Sequence, residues 1–238
     1  ADNNGQEHLY IESQGAYAYP TEHDSIRISS STQGPTAVQR TVARVLGIPM
    51  HRVEVDVTRL GGGFGGKEDQ ASAWAALVAL AAYLLKKPVK LSMHRMDDMR
   101  MTGKRHPYSS DYKIGLDKDL RIVAYEASFH QNAGAAADLS PAVMERTMFH
   151  ATNSYAIPNV NVTAYSCRTH LPPNTAFRGF GGPQGMFVIE CAIAHAAKKL
   201  GVPARKIQQR NLLQEGSEFS YGQIADRVNA SPTWELAD

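Results

Sequence analysis

The sequence predicts an α+β fold of mixed sheets with packed helices. Three observations carry that reading. Strand-like and helix-like periodicities interleave without the strict alternation of a doubly wound parallel sheet. Two glycine-rich turns, 61–66 and 176–183, each precede a mostly apolar stretch of helical length. A content of 43% hydrophobic and 20% charged residues over 238 residues is that of an ordinary globular chain with a sizeable core.

In chain order, His8 to Tyr19 alternates and is rich in Tyr and Ile, so it reads as a strand or bent strand pair, and Ile26–Ser29 as another. Thr36 to Leu46 places Val38, Val42, Val45 and Leu46 at helical spacing and is closed by Gly47 and Pro49. Val53, Val55 and Val57 alternate as a strand leading into the first glycines. Asp69 to Lys87 is apolar nearly all round, so it reads as a helix buried on most faces, stopped by Pro88. Val89–Met93 returns as a strand. Tyr108–Gly115 and Leu120–His130 form a hairpin about Asp117-Lys118-Asp119. Ser140–His150 is a short helix with Ser140 as N-cap and Pro141 at its first position. Val160–Cys167 is a strand, Gln184–Leu200 a helix and Val202–Leu213 a shorter one.

The formal net charge of +2 is too small to argue for a nucleic-acid partner. Lys and Arg gather between Lys86 and Arg121, but Asp97, Asp98, Asp111, Asp117 and Asp119 are interleaved, as on a solvated mixed-charge surface. Cys167 and Cys191 are far apart and form no CxxC pair, which excludes a local zinc or iron–sulfur ligand set and reads as reduced, buried thiols of a cytoplasmic protein. His94, His106, His150 and His170 show no metal-ligand spacing and read as structural or surface residues. The longest apolar run, Ala71–Leu85, is too short to span a membrane. Neither end carries a start or stop signal of its own, so both read as cut.

A strand, a glycine turn and a helix together form a recurrent device for holding anionic groups, because backbone amides approach the ligand and the helix N-terminus adds partial positive charge. Gly61, Gly63 and Gly66 satisfy GxGxxG, a weak match within so many glycines. The P-loop template also fits up to Lys67, but Glu68 stands where a hydroxyl must hold magnesium, and a carboxylate there repels phosphate. The bland alternative is a close helix–strand contact. A second glycine turn that also carries phenylalanine argues instead for two walls of one pocket.

Gly61-Gly62-Gly63-Phe64-Gly65-Gly66-Lys67-Glu68, Met144-Glu145-Arg146 and Ala176-Phe177-Arg178-Gly179-Phe180-Gly181-Gly182-Pro183-Gln184 resemble the xanthine oxidase family of molybdenum hydroxylases. Gly5-Gln6-Glu7-His8 and Gly103-Lys104-Arg105-His106-Pro107 are similar to the same family at matching spacings, so the likeness runs from about Gly5 to Gly222. The resemblance implies the first half of a molybdenum-cofactor-binding region, one partial molybdopterin-binding domain over residues 1–238 with a sub-boundary between about 100 and 155. It implies hydroxylation next to a ring nitrogen, or of an aldehyde, with water as the oxygen source. Electrons leave through the pterin to iron–sulfur centres and FAD on other domains or chains, and the complete enzyme is a dimer.

By the same resemblance, Gln6 approaches an oxygen ligand of molybdenum, and Gly63, Phe64 and Gly65 lay their backbone against the metal–pterin unit. Arg178 lies on the cofactor side of the second turn. Glu68 and Arg146 are the catalytic pair that binds purine heteroatoms, and Phe180 holds the flat ring. The physical logic agrees, since a planar polar purine needs an aromatic face, a carboxylic group and a guanidinium. Each residue also has a dull reading: Gln6 at the surface, Glu68 complementing a helix dipole, Glu145–Arg146 an exposed pair, Phe180 core, Arg178 on backbone carbonyls. The combination favours hypoxanthine or xanthine over an aldehyde or another N-heterocycle. The family's late Gly-x-Gly-Glu-like segment, with its general-base glutamate, has no match here, so the chain by itself reads as an inactive half-site that needs the remainder of the molybdenum subunit. The alternative is a natural short binding or scaffold polypeptide; a nucleotide-binding module is a remoter one.

Overall fold

The computed structural model describes residues 1–237. Its elements are β1 (Asp2–Asn3), β2 (Gly15–Pro20), β3 (Ile26–Ser30), α1 (Pro35–Leu46), β4 (Val53–Asp56), α2 (Gln70–Leu85), β5 (Val89–Ser92), α3 (Arg95–Met101), β6 (Tyr108–Leu116), β7 (Ile122–Gly134), α4 (Ser140–Phe149), β8 (Val160–Arg168), α5 (Gly182–Leu200), α6 (Ala204–Arg210) and α7 (Ala230–Ala237). They build two mixed four-stranded sheets, ordered β4-β3-β2-β5 and β1-β6-β7-β8. The α+β class is borne out.

In the first sheet β2 is antiparallel to β3 and β5, while β3 and β4 run parallel. A parallel pair needs a crossover, and α1 supplies it. That helix starts at Pro35, whose missing N–H costs nothing there, and ends at Gly47, which takes the left-handed conformation and donates its N–H to Ala43. Its stripe Val38, Val42 and Ala43 packs with Ile26, Ile28 and Val53 of the sheet and Ala75, Ala79 and Ala82 of α2. Burying each Val or Ile side chain contributes about 1.5–3 kcal/mol. The alanines of α2 let the helix lie close on the strands.

In the second sheet β6 and β7 are an antiparallel hairpin, and α4 returns the chain to set β8 parallel to β7. The hairpin turn is pinned by Asp117, whose Oδ1 accepts the amides of Asp119 and Arg121, both at 2.9 Å. Ile189 and Ile193 of α5 and Ile207 of α6 close a core with Tyr108, Tyr125 and Phe129.

Four local expectations are corrected. Residues 8–14 are irregular, because Leu9 sits at φ +48 and the Tyr10 hydroxyl turns inward to Asp98 Oδ1 at 2.7 Å. Helix α2 is buried on one side only, with Leu77, Leu84 and Leu85 exposed by 56%, 71% and 63%. Ser140 is the first residue of α4 rather than its cap; Leu139 is the cap, and Ser140 Oγ meets His106 Nε2 at 2.8 Å instead. The two thiols are free but only half-buried. No helix of the described residues is long and apolar enough to cross a membrane.

His106 is fully buried and its Nδ1 has no hydrogen-bond partner among the described residues. Burial pushes its pKa down from 6.5 to about 4. A depressed folded value means that its stabilisation is whole above pH 6.5 and is lost as pH falls towards 4, at most about 3 kcal/mol. A His106→Gln variant should therefore lose less melting temperature between pH 7 and 4 than the parent; parallel melting curves would exclude His106 as an acid-sensitive point.

Candidate functional site

The first glycine turn is held from beneath by polar side chains. Gln33 Oε1 accepts the backbone amides of Gly65 (2.8 Å) and Lys67 (3.3 Å), and the Gln33 backbone N–H donates to Lys67 O (2.7 Å). Gln14 Nε2 donates to Gly66 O at 3.0 Å. The Lys67 side chain is fully buried and turns away from the glycines. Its Nζ donates to Glu12 O and Ser31 Oγ, both at 2.6 Å, and to Glu12 Oε2 at 3.2 Å, over the Tyr10 ring. Burial lowers the Lys67 pKa, partly offset by Glu12. Burial raises Glu12, but hydrogen bonds from Ser31, Gly61 and Lys67 outweigh it and hold the carboxyl below its ordinary range. This lysine is committed to the core, which removes the P-loop reading independently of Glu68.

The second turn packs directly on the first. Arg178 N–H donates to Phe64 O at 2.9 Å, and a Cβ on Gly65 would lie 2.8 Å from the carbonyl carbon and oxygen of Ala176, so only glycine permits this approach. His8 is wedged between the turns: its Nε2 hydrogen-bonds Ala176 O at 2.6 Å, its ring meets Phe177 edge-on, and Gly66 lies against its face. Phe64 and Phe180 both adopt positive φ, +53 and +49, each followed by a glycine near +97. The two glycine turns expected to wall one pocket are thus in direct contact with each other.

The cofactor candidates come together at this junction. Gly63, Phe64 and Gly65 form the first turn, with Phe64 47% exposed. The Arg178 side chain is exposed beside it, and exposed Gln6 is tied to the same place because its Oε1 accepts from Arg105 Nε at 3.0 Å. Arg146 and Phe180 line a neighbouring cavity of about 480 Å³ with Glu145, Phe149, His150 and Tyr221. Glu68 is not among its lining residues. It is half-buried near Asp69 and Asp138, and burial first, then those two carboxylates, raises its pKa.

Three residues at the junction were not singled out by sequence reasoning: His8, Gln33 and Arg105. His8 and Arg105 fall inside motifs noticed for their spacing. Gln33 gives no local signal, since a polar residue before Gly34-Pro35 reads as an ordinary helix approach. It is nevertheless the glutamine side chain against the first turn, with its exposed Nε2 free of hydrogen bonds among the described residues. An anionic, oxygen-rich group such as molybdopterin fits what is present. Amide and guanidinium donors gather at a junction too tight for side chains, and Arg105 Nη1 is buried without an acceptor.

A family model of the molybdopterin cofactor-binding domain matches residues 1–212. The chain belongs to the molybdopterin cofactor-binding domain family. This molybdopterin-binding domain is 44% identical over 232 residues to a xanthine dehydrogenase of Oryza sativa subsp. japonica, covering 97% of this chain and 17% of that protein. It is 46% identical over 222 residues to a xanthine dehydrogenase of Calliphora vicina, covering 93% of this chain and 16% of that one. Its fold matches the aldehyde oxidoreductase of Desulfovibrio gigas with a TM-score of 0.91 and 26% identity, over 99% of this chain and 26% of that chain. The domain therefore spans only a small part of the length of its relatives. The resemblance read from the glycine motifs is borne out.

Proposed function

We propose that this molybdopterin-binding domain contributes the purine side and part of the cofactor cradle of a xanthine dehydrogenase-type hydroxylase acting on hypoxanthine or xanthine. The observation that carries the reading is the fused pair of turns, Arg178 N–H on Phe64 O, with Arg146 and Phe180 lining the cavity beside it. When bound, the molybdenum–pterin group supplies the two-electron chemistry, and iron–sulfur and FAD groups elsewhere in the complete enzyme carry the electrons away.

This chain's own residues bind and orient. Gly63, Phe64 and Gly65 let the backbone approach the cofactor, and Arg178 presents a cation to it. Gln33, and not only Gln6, offers an amide, because its oxygen is occupied by the turn and its Nε2 is left as the free donor. Phe180 stacks on a planar ring, and Arg146 meets negative charge as it develops there. Burial, then Asp69 and Asp138, raises the Glu68 pKa, and its carboxyl group meets a ring nitrogen or carbonyl oxygen of the purine. Glu68 lies outside the cavity lined by Arg146 and Phe180. Without the further parts of the subunit the domain alone is inactive. The Desulfovibrio relative's name favours a second reading, oxidation of an aldehyde, which gives Glu68 and Arg146 no purine to bind.

A Glu68→Gln substitution in the holoenzyme separates these readings. Expected is a fall in kcat/KM for xanthine of about 100-fold, with molybdenum and pterin content unchanged. Equal loss of cofactor and turnover would make Glu68 structural, and undiminished xanthine turnover would remove the purine assignment.

A further inference from the structure

Arg105 is a buried cation without an acidic partner. It is 9% exposed, and no carboxylate pairs with it among the described residues; the neighbouring Glu7 is taken by Lys104 at 2.9 Å. A guanidinium withdrawn from water and left without a counter-charge is costly to keep. Its contacts explain part of that retention. Arg105 N–H donates to Gln6 O and Nε–H to Gln6 Oε1, each at 3.0 Å, while Nη2–H donates to Arg178 O at 2.7 Å. The guanidinium carbon Cζ lies 4.1 Å from the centre of the Phe177 ring, and Nη1 is buried with no acceptor among the described residues.

Arg178 is consequently gripped on both sides of its Cα, its N–H by Phe64 O and its carbonyl by Arg105. Those two bonds hold the main chain that carries the exposed Arg178 side chain. A neutral donor would hold the carbonyl equally well, so neither the charge nor the unused Nη1 is explained by that grip. Burial lowers the Arg105 pKa.

We propose that Arg105 is a positioning residue of the cofactor site, which locks Gln6 and the Arg178 main chain and holds a fixed positive charge behind the second turn for an anionic group at the junction. The proposal rests on the functional reading above. Lysine keeps the charge but lacks the planar fork that reaches Gln6 and Arg178 together. Methionine keeps the length and loses both.

The test uses the holoenzyme, comparing the parent with Arg105→Lys and Arg105→Met. Molybdenum and pterin per chain, the Mo(V) electron paramagnetic resonance spectrum, kcat and KM for xanthine, and melting temperature are measured. For Arg105→Lys the expected result is cofactor content within about twofold of the parent, an altered Mo(V) spectrum, and kcat lower by about tenfold or more with a smaller change in KM. Arg105→Met is expected to lose most of its cofactor. An Arg105→Lys enzyme with parental cofactor, spectrum and kcat, and only a lower melting temperature, overturns the proposal. If Arg105→Met does not fold, Arg105→Lys decides alone. A parent enzyme with no molybdenum–pterin defeats the functional reading and this proposal with it, whereas a loaded, active parent beside an indifferent Arg105→Lys variant defeats this proposal only.

Discussion

A Lys67→Ala variant is expected to melt roughly 6–12 °C below the parent, corresponding to about 3 kcal/mol at about 2–4 °C per kcal/mol for a chain of this size. The loss has three sources. Glu12 O and Ser31 Oγ, which accept from Nζ at 2.6 Å, are left without their donor. The Glu12 carboxylate loses its cation, and the Tyr10 ring loses the charge that lies 4.4 Å from its centre. The figure stays at the low end of what breaking a buried pair costs because the Glu12 side chain is 43% exposed and water takes over part of its stabilisation. Since Glu12 Oε2 also accepts the Gly61 amide at 2.9 Å, the first glycine turn loosens with it, and cofactor content should fall in parallel. A differential scanning measurement showing a shift of less than about 2 °C would mean that the buried ammonium contributes little.

Gly181→Ala is expected to cost about 3 kcal/mol or more and to raise KM for the purine. Gly181 stands at φ +96, where a side chain is strained whatever the space. The added Cβ would also overlap the Val143 carbonyl oxygen and lie 2.8 Å from Thr147 Oγ1, so α4 has to move as a body. Thr147 Oγ1 binds Gly181 O at 3.1 Å and meets the Tyr108 hydroxyl at 3.0 Å, which ties that helix to the sheet as well as to the turn. Arg146 rides on the same helix, and its distance from Phe180 changes with any such movement. Steady-state kinetics and a melting curve on the holoenzyme check both halves: an unchanged KM in a destabilised variant would mean that the cavity tolerates displacement of α4.

The regular elements were legible because their signals are local. The 3.6-residue stripe of α1, its proline start and its glycine stop lie within one stretch of chain, as do the alternation and turn chemistry of the β6–β7 hairpin. The strand reading of residues 8–14 went wrong for the opposite reason. Their alternation mimics a strand, yet Tyr10 is buried through Asp98, far away in sequence. Ser140 similarly has the right chemistry for a cap and is diverted to His106 by tertiary packing.

At the site, Phe64, Arg178, Phe180, Glu68 and Arg146 were legible as residue types in recognisable motifs. Their arrangement was not. The direct contact of the two glycine turns rests on one backbone hydrogen bond and on the space beside Ala176, and neither leaves a trace in composition or periodicity. Sequence by itself determined the fold class and the family, since those follow from local patterns and from motif spacing. Only the tertiary structure decided that Lys67 faces the core, that Gln33 lies against the first turn, and that Arg105 links Gln6 to Arg178. The physical reason is the same in each case: a long polar side chain goes wherever distant chain segments leave donors and acceptors unmatched, and that is settled only when the segments meet.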